Sequence, residues 1–314
     1  MTRVTEATPD GVVRLENRFA DGAAFIEGAY VPIAEARIPI LDWGFTRSDV
    51  TYDVVHVWGG KFFRLGHHLD RFEKSLASVR MTIPHDRDEL VAILMRLMLL
   101  SQLRDAYVEV LCTRGMPPKG TRDPRACENR FIAFAIPFVW IADEEMRASG
   151  IDLHLSSYLR IPPGSVDPTA KNFHWGDMIR ALFESYEQGC DMPVVVDLDG
   201  NIAEGPGFNV FAVKGGTATT PGGTCLEGIT RRTALDLLGE LNVKGEVGTV
   251  SPDDLRGADE VFLTSTAGGI LPVTKIDHEP VADGATGPVT ERLRDLYWVR
   301  HEDDREATPI DYEG

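Results

Sequence analysis

Tight glycine turns between short apolar segments are the feature that most limits what this chain can fold into. Ala24–Pro32 predicts a hairpin around Glu27-Gly28, and Tyr52–Leu65 predicts a second hairpin around Gly59-Gly60. After these hairpins the chain shows segments with helical periodicity and further segments typical of strands. Because strands and helices mix without regular strand–helix–strand alternation, the pattern predicts an α+β fold. The remaining elements expected in the first half are helices Leu69–Val79 and Arg87–Ser101 and strands Tyr107–Cys112 and Arg130–Trp140.

At 314 residues the chain is long for one domain, so two domains are expected. Residues 1–22 predict an irregular arm within a small N-terminal domain, 1–141. The charged segment Asp143–Gly150 predicts a linker at 142–150, and 151–314 form the larger C-terminal domain. The elements expected there are strand Ile151–Tyr158, helix His174–Gln188, hairpin Pro193–Glu204, strand Asn209–Val213, helix Gly228–Glu240, strand Glu260–Thr264 and helix Pro288–Trp298.

Composition excludes several classes of partner. A net charge of −17 and a pI near 4.9 argue against nucleic acid, which needs a basic face. The N-terminus lacks the apolar core of a signal peptide, and the longest apolar run, Leu90–Leu100, is too short to span a membrane. The four cysteines and the His67-His68 pair show no metal-ligand spacing, so no metal site is predicted. We expect a cytoplasmic protein with reduced thiols.

One lysine stands apart in the segment Asp167-Pro-Thr-Ala-Lys-Asn-Phe-His-Trp-Gly-Asp177. Lys171 follows a proline-rich loop and has Phe173 and Trp175 two and four positions further on. If the segment were helical, Trp175 would share a face with Lys171. Desolvation lowers the pKa of an ammonium group and makes the amine a nucleophile toward carbonyls. The alternative is a surface lysine whose stem lies along apolar side chains.

Two segments offer groups that bind anions. Gly228-Ile229-Thr230-Arg231 begins a predicted helix, whose free N–H groups attract negative charge. An ordinary threonine cap explains the same residues. Thr266-Ala267-Gly268-Gly269 follows a strand, and its small residues allow backbone to approach a ligand closely. The alternative there is a plain glycine turn.

Three charged residues complete the candidate set. Glu204, in Glu204-Gly-Pro-Gly-Phe-Asn209, is a carboxylate that would favour the protonated form of a heterocyclic nitrogen. The alternative is a surface glutamate in a turn. Arg71 and Arg122 each offer a guanidinium to an oxyanion, although a solvated or ion-paired arginine is the alternative for both. Together these groups indicate a phosphorylated heterocycle with a carbonyl bound to lysine, which describes pyridoxal 5′-phosphate.

The sequence resembles the fold-type IV pyridoxal-phosphate enzymes, which include branched-chain and D-amino-acid aminotransferases and aminodeoxychorismate lyase. Within them it is most similar to the (R)-selective amine transaminases. The resemblance extends from about Ala24 to Trp298. The phrases that carry it are Ser48-Asp-Val-Thr-Tyr-Asp-Val54, Phe63-Arg-Leu-Gly-His-His-Leu-Asp-Arg71, Asp167-Pro-Thr-Ala-Lys-Asn-Phe-His-Trp-Gly-Asp177, Glu204-Gly-Pro-Gly-Phe-Asn209, Gly228-Ile-Thr-Arg231 and Thr266-Ala-Gly-Gly269.

The resemblance implies a role for each candidate. Lys171 would form the internal aldimine, a Schiff base with the cofactor, and then move the proton between substrate and cofactor. Glu204 would pair with the pyridine nitrogen. The residues implied to bind the phosphate are Arg71, Ile229, Thr230 and Thr266. The residues implied to lie beside the substrate are Tyr52, Val54, Tyr107, Arg122, Trp175 and Ala267.

The resemblance also implies a fold and an assembly. The fold has a small N-terminal α/β domain and a larger C-terminal α/β domain, a pseudo-barrel, and the protein forms a homodimer or a higher homo-oligomer. Arg122 resembles a mobile arginine that binds the carboxylate of a keto acid and moves out for a bulky apolar amine. Arg47 departs from the histidine common in this subgroup, and its charge favours substrates that carry a carboxylate.

The implied activity is a ping-pong transfer of an amino group from an (R)-amine to an α-keto acid such as pyruvate. The alternative is a D-amino-acid or branched-chain amino-acid aminotransferase. A third hypothesis is a lyase of the aminodeoxychorismate type on the same scaffold. A non-catalytic binding protein is the fourth, and the combination of Lys171, Glu204 and the phosphate-binding residues argues against it.

Overall fold

The computed structural model describes residues 17–313, so residues 1–16 of the predicted arm lie outside the described part of the chain. Two compact units form. One holds the described residues up to Val139 together with those from Ala307 onward, and the other holds Trp140–Glu306. Each unit has its own sheet and helices, which is the α+β class that the sequence predicts.

The described strands are, in chain order, β1 (Ala23–Ile26), β2 (Ala29–Pro32), β3 (Val50–Trp58), β4 (Lys61–Phe63), β5 (Ala106–Met116), β6 (Glu128–Pro137), β7 (Ile151–Leu159), β8 (Met192–Val196), β9 (Asn209–Lys214), β10 (Thr217–Pro221), β11 (Lys244–Gly248), β12 (Glu260–Ser265), β13 (Gly269–Ile276), β14 (Glu279–Pro280) and β15 (Ala307–Pro309). The α-helices are α1 (Trp43–Arg47), α2 (Leu65–Ser78), α3 (Arg87–Ser101), α4 (Glu144–Ser149), α5 (Gly176–Gln188), α6 (Ile229–Glu240), α7 (Pro252–Arg256) and α8 (Pro288–Val299). None of the described helices has the length and apolar character needed to cross a membrane.

The first unit is an antiparallel sheet in the order β15-β4-β3-β5-β6-β1-β2. Side chains alternate between its faces, so Val55 and Val108 point toward one side and their neighbours toward the other. The Val55 side packs with Leu69 and Phe72 of α2 and with Leu94 of α3 in one buried core. The opposite face carries Tyr52, Val54 and Tyr107, all predicted to lie beside the substrate.

The second unit is a mixed sheet in the order β11-β10-β9-β12-β13-β7-β8, with β14 paired to β13. Three of its pairings are parallel, namely β10 with β11, β13 with β7, and β7 with β8. Its core includes Ile151, Val210, Leu263 and Val273, each at most 3% exposed. Burial of these apolar side chains is the main source of its stability.

The predicted linker, 142–150, is instead largely helical. Asp143 caps α4 by accepting from the Met146 N–H, and Gly150, at φ +89°, ends the helix. A capping Asp and a terminal Gly are ordinary signals of a helix. The linker was predicted from the charged composition, without regard to these two residues as helix boundaries. The segment 151–314 also differs from its prediction at its end, because β15 pairs with β4 in the first sheet.

Other boundaries shift for local reasons. The helix expected at Leu69 begins four residues earlier, at Leu65, directly after Arg64, which has a left-handed backbone conformation. The hairpin expected at Pro193–Glu204 does reverse at Gly200, and Val195 bonds to Ala203 and Glu204. Its second arm is short of a regular strand, because it forms one isolated bridge, from Val196 to Ile202. The first hairpin, with left-handed Glu27 and Gly28 at its turn, is confirmed.

His301 gives the first test of the fold. Burial lowers the pKa of this imidazole to about 4, compared with 6.5 for a free side chain. The folded state therefore binds the proton less readily than the unfolded chain, and stability is lost as the pH falls from 6.5 toward 4. Over that interval, we expect the free energy of unfolding to drop by about 3 kcal/mol more in the wild type than in His301→Leu. Urea unfolding at a series of pH values measures this difference, and parallel curves for both proteins would contradict the prediction.

Candidate active site

The loops before β9 and after β12 meet at one end of the second sheet. Thr264 pairs with Asn209, and Ser265 pairs with Gly269 across the neighbouring strands. The Ser265 hydroxyl donates to the Gly207 carbonyl at 2.9 Å and joins the two loops. The segments Glu204–Asn209 and Thr264–Gly269, about 60 residues apart in the sequence, are therefore in contact in the folded protein.

The turn that contains Thr266 and Ala267 is packed closely against its neighbours. Both residues are half-buried, and the Ala267 carbonyl accepts from the Ile141 N–H at 2.8 Å. A Cβ added to Gly269, which has φ +68°, would lie 2.8 Å from the Tyr297 ring. Glycine is required here, and it holds Thr266 at the end of the sheet.

The start of α6 leaves backbone N–H groups available to a ligand. Gly228 precedes the helix, and no described side chain caps it. A Cβ on Gly228 would lie 2.2 Å from Asn209 Oδ1, so glycine is required for this close approach. The sequence-predicted residues Ile229 and Thr230 are buried in the first helical turn. An uncapped helix N-terminus with a buried threonine hydroxyl suits a phosphate.

Glu204 lies at the centre of a buried network of charges. Its Oε1 accepts from Arg160 Nε at 3.1 Å, and its Oε2 accepts from the Leu226 N–H at 3.1 Å. Arg160 Nη1 also donates to Asp177 Oδ2 at 2.7 Å. Burial raises the pKa of Glu204, while Arg160, the Leu226 N–H and the ammonium of Lys171 act in the opposite direction. Lys171 therefore lies within electrostatic range of this carboxyl group.

The two carboxylates also fix the charge of Arg160. Burial acts to lower the pKa of the guanidinium, but Glu204 and Asp177 together raise it. Arg160 thus remains a cation, and it holds Glu204 in one orientation. A positively charged ring nitrogen is the natural further partner for a carboxylate fixed in this way.

Lys171 lies outside any helix, because α5 begins only at Gly176. The helical face that Lys171 and Trp175 would share is therefore absent. Both side chains are half-buried, and the Trp175 ring lies 3.7 Å from the position of a Cβ on Gly207. Trp175 is thus next to the loop that carries Glu204. Phe173 is more exposed, at 38%.

In the first unit, one sheet face brings together three predicted substrate residues and a carboxylate. Val54 pairs with Glu109, and Tyr107 lies two residues before Glu109 on the same face. Glu109 is only 6% exposed. Burial, and next the charge of Glu109, raise the pKa of Tyr107, so this phenol stays protonated at neutral pH. Tyr52 is buried on the same face.

Arg71 is tied to a buried carboxylate in the first unit. Its Nε donates to Asp53 Oδ2 at 2.7 Å, its Nη2 donates to Asp53 Oδ1 at 2.9 Å, and His68 Nδ1 lies 2.8 Å from the same Oδ1. Although burial acts to raise it, Arg71 and His68 hold the pKa of Asp53 well below its usual range. Asp53 fixes the guanidinium in place, and phosphate binding by Arg71 stays a prediction.

The two other candidate arginines lie at the surface of the first unit. Arg122 is exposed on the loop between β5 and β6. Arg47, at the end of α1, lies over the Trp43 ring, with its guanidinium carbon 3.4 Å from the ring centroid. A cation held on an aromatic face keeps a fixed position near the start of β3.

Sequence reasoning gave no role to four charged residues that the structure places among the candidates: Asp53, Glu109, Arg160 and Asp177. Asp53 and Glu109 do have a signal in the sequence, because a carboxylate in an otherwise apolar strand needs a partner. Arg160 and Asp177 have none, since their pairing depends on how the proline-rich loop folds.

Comparison with known proteins identifies the class. The chain belongs to the amino-transferase class IV family, whose model matches residues 51–276. The branched-chain-amino-acid aminotransferase of Escherichia coli strain K12 is 31% identical over 283 residues, which cover 87% of this chain and 91% of that protein. The D-alanine aminotransferase of Bacillus licheniformis is 28% identical over 270 residues, which cover 85% and 93% respectively.

A solved structure agrees with this assignment. The branched-chain amino acid aminotransferase of Thermobaculum terrenum, determined in its PLP form, superimposes with a TM-score of 0.82 at 26% identity. The match covers 92% of this chain and 98% of that one. The predicted fold-type IV architecture is therefore confirmed.

Proposed function

We propose that the protein is an aminotransferase that uses Lys171 as its catalytic amine and moves an amino group from an amino acid to an α-keto acid. The cofactor is pyridoxal 5′-phosphate. The observation that carries this proposal is the buried carboxylate of Glu204, fixed by Arg160 and within electrostatic range of Lys171. The uncapped start of α6 adds a phosphate site in the same unit.

Each part of this arrangement suits a different part of the cofactor. Glu204 would hold the pyridine nitrogen, and Ile229, Thr230 and Thr266 would hold the phosphate. When bound, the cofactor supplies an electron sink for the carbanion formed at the substrate carbon. The Lys171 amine would take the proton from that carbon and pass it to the cofactor, which a transfer of the amino group requires. Trp175 would limit the access of water to this amine.

For the amino donor, we propose an amino acid of the branched-chain or D-amino-acid type. The named relatives are aminotransferases of these substrates. Arg47 adds a fixed positive charge near the start of β3, which favours a donor with a carboxylate. The apolar side chains of Val54 and Tyr52 suit an aliphatic side chain.

An (R)-amine is the second candidate donor. The phrase Lys171-Asn-Phe-His-Trp175-Gly-Asp177 resembles that subgroup most closely, and Arg122 is exposed rather than held in a buried ion pair. An arginine in that position leaves room for an apolar group without the cost of a buried unpaired charge.

A donor panel separates the two candidates. The holoenzyme is mixed with L-leucine, D-alanine or (R)-1-phenylethylamine, and the loss of the yellow cofactor absorption is followed by stopped-flow. We expect loss of the absorption with L-leucine or D-alanine, and recovery on adding 2-oxoisocaproate or pyruvate. Reaction with the (R)-amine alone would establish the second candidate, and no reaction with any donor would contradict the proposed function.

A separate assay, with aminodeoxychorismate as the substrate, tests a lyase of the aminodeoxychorismate type. That enzyme releases pyruvate from aminodeoxychorismate with no amino acceptor present. We expect no pyruvate in the acceptor-free assay, because a transferase stops after one half-reaction. Pyruvate formed over many turnovers would establish the lyase instead.

Arg122→Ala should separate the two kinds of substrate. We expect the KM for pyruvate to rise about tenfold or more, because a charge-assisted bond to the carboxylate is lost. The rate with an apolar amine should change by less than about twofold, because no such bond exists there. Steady-state kinetics with both substrates measures the contrast, and Arg125→Ala, three residues along the same loop, is the control. Equal losses for both substrates would rule out a carboxylate-binding role.

We further propose that the active form is a homodimer or a higher homo-oligomer. Ile40, Leu41 and Phe45 are 74%, 70% and 64% exposed in the first unit. Neighbouring apolar side chains of this kind are typical of protein contacts. Light scattering measures the mass directly, and a monomer would contradict this.

We also propose a cytoplasmic location. All four cysteines are unpaired, and three of them are buried. Unpaired thiols are typical of proteins kept in a reducing compartment.

A further inference from the structure

A cluster of metal-binding side chains lies in the second unit, where β7 begins and β13 ends. Among the described residues, Asp152, Cys190 and His278 offer ligand atoms that all lie within 4.8 Å of one another. Cys190 Sγ lies 3.7 Å from His278 Nε2, and His278 Nδ1 lies 2.8 Å from Asp152 Oδ2. The thiol lies at the Nε2 edge of the imidazole and the carboxylate at its Nδ1 edge, so the three groups form one cluster.

The backbone holds this cluster in place from three directions. Cys190 follows the left-handed Gly189 that ends α5, and its N–H donates to the Ser185 carbonyl at 3.0 Å. Asp152 lies near the start of β7. His278 lies in the turn between β13 and β14, with φ +71°, and its N–H donates to Asp152 Oδ1 at 3.1 Å. The three side chains are therefore fixed by regular structure.

A second set of donors lies beside the first and shares the thiol. His154, Cys190 and Asp277 also place ligand atoms within 4.8 Å of one another. His154 Nδ1 lies 2.8 Å from Asp277 Oδ1, and Arg256 Nη2 donates to Asp277 Oδ2 at 3.1 Å. Each carboxylate bonds to a histidine, but Asp277 also bonds to a guanidinium, whose positive charge opposes a cation. The Asp152 set is therefore the better metal site.

The donor types suit a borderline-soft divalent ion. Zn²⁺ takes thiolate, imidazole and carboxylate ligands, whereas Mg²⁺ and Ca²⁺ prefer oxygen alone. Zn–S and Zn–N bonds in a tetrahedron place sulfur and nitrogen about 3.5 Å apart, close to the 3.7 Å seen between Cys190 and His278. Cys190 is 4% exposed and His278 is exposed, so the ion would bind at the surface with solvent as its fourth ligand.

The local charge also favours a cation. Asp152 Oδ2 lies 2.8 Å from His278 Nδ1, and Asp277 Oδ1 lies 2.8 Å from His154 Nδ1, so two carboxylates border the cluster. The same carboxylates attract a divalent ion, which would replace the thiol proton on binding. In the structure His278 Nδ1 lies 2.8 Å from Asp152 Oδ2, and its Nε2 lies 2.9 Å from the Gln188 carbonyl oxygen. An ion bound at Nε2, the nitrogen beside Cys190, would replace the contact with the Gln188 carbonyl.

We propose that Cys190, His278 and Asp152 form a binding site for one Zn²⁺-class ion per chain, separate from the site of amino transfer. A bound ion would connect the C-terminal end of α5 to the β13–β14 turn. The sequence predicted no metal site because these residues are 38 and 88 positions apart and show no ligand spacing. The proposal does not depend on which amino donor the enzyme uses.

The test is Zn²⁺ binding to the holoenzyme, expressed without a histidine tag and measured by equilibrium dialysis against a chelator-buffered zinc series. We expect one ion per chain in the wild type. His278→Asn should weaken binding roughly 10- to 100-fold. Asparagine is a suitable replacement because it tolerates the positive φ of this position. His85→Asn, which removes an imidazole from the first unit, should bind as the wild type does.

Cobalt spectroscopy identifies the thiol ligand. Co²⁺ in place of Zn²⁺ should give intense visible bands typical of a tetrahedral site with a thiolate, at longer wavelengths than the cofactor absorbs. Cys190→Ser should lose them, whereas Cys127→Ser should keep them. Less than one ion bound per chain in the wild type, or equal affinity in the wild type and His278→Asn, would overturn the proposal. The His278 variant decides the question even if Cys190→Ser fails to fold.

Discussion

Lys171→Ala is expected to lower the rate of amino transfer by about 10²- to 10⁴-fold or more, with little change in stability. The side chain is half-buried and lies outside regular structure, so its removal leaves no large cavity. In the proposed mechanism its amine both attaches the cofactor and moves the substrate proton. Stopped-flow measurement of one half-reaction gives the loss directly, and circular dichroism verifies the fold.

Two measurements separate catalysis by Lys171 from a structural role. Lys275→Ala, an exposed lysine on β13, is the matched control and should react as the wild type does. Added methylamine should restore part of the rate in Lys171→Ala, because a free amine can carry the proton. Borohydride treatment of the wild-type holoenzyme should attach the cofactor to the peptide that contains Lys171. Attachment to another lysine would remove Lys171 from its proposed role.

Glu204→Gln is expected to lower the same rate by about 10²- to 10³-fold, because a neutral amide cannot stabilise the charge of a protonated ring nitrogen. The size of glutamine keeps the packing, but Arg160 loses one of its two charged partners among the described residues and keeps Asp177. The affinity for the cofactor should fall less than the rate, since the start of α6 holds the phosphate independently. Half-reaction kinetics and cofactor titration of the apoenzyme measure the two effects separately.

Glu227→Gln, an exposed carboxylate on the loop before α6, is the matched control for this prediction. This variant removes one negative charge, as Glu204→Gln does, but it leaves the buried network intact. Unchanged half-reaction rates in Glu204→Gln would show that the carboxylate only supports Arg160. Arg160→Gln should then mimic any loss of stability without a loss of rate.

The parts of the site that could be predicted from the sequence are those marked by residue type, chiefly by glycine, even where the contact that requires the glycine is distant. Gly228 marks a helix start at which a Cβ would meet Asn209, and Gly269 marks a turn at which it would meet Tyr297. At these positions a side chain would not fit, so glycine is required. Glycine is also favoured in the hairpin turns, where the backbone is left-handed. Hence the position of α6 agrees with its prediction to within one residue.

The parts that could not be predicted depend on contacts between distant segments. The pairing of Arg160 with Glu204 joins residues 44 positions apart, and that of Arg71 with Asp53 crosses from a helix to a strand. β11, Lys244–Gly248, has two glycines and a charged start, so its propensity for strand is low. It forms because β10 offers an edge to which it can bond in parallel. Tertiary partners of this kind leave no local pattern.

The return of β15 to the first sheet has a practical consequence for anyone who wishes to dissect the protein. Since the polypeptide leaves the first unit after Val139 and re-enters it at Ala307, no single cleavage yields both halves intact. A fragment that stops before Ala307 would leave β4 with the bare backbone of Phe62 and Phe63 along one side, ready to recruit another chain. For deletions at the carboxyl terminus, aggregation should therefore be measured as well as activity.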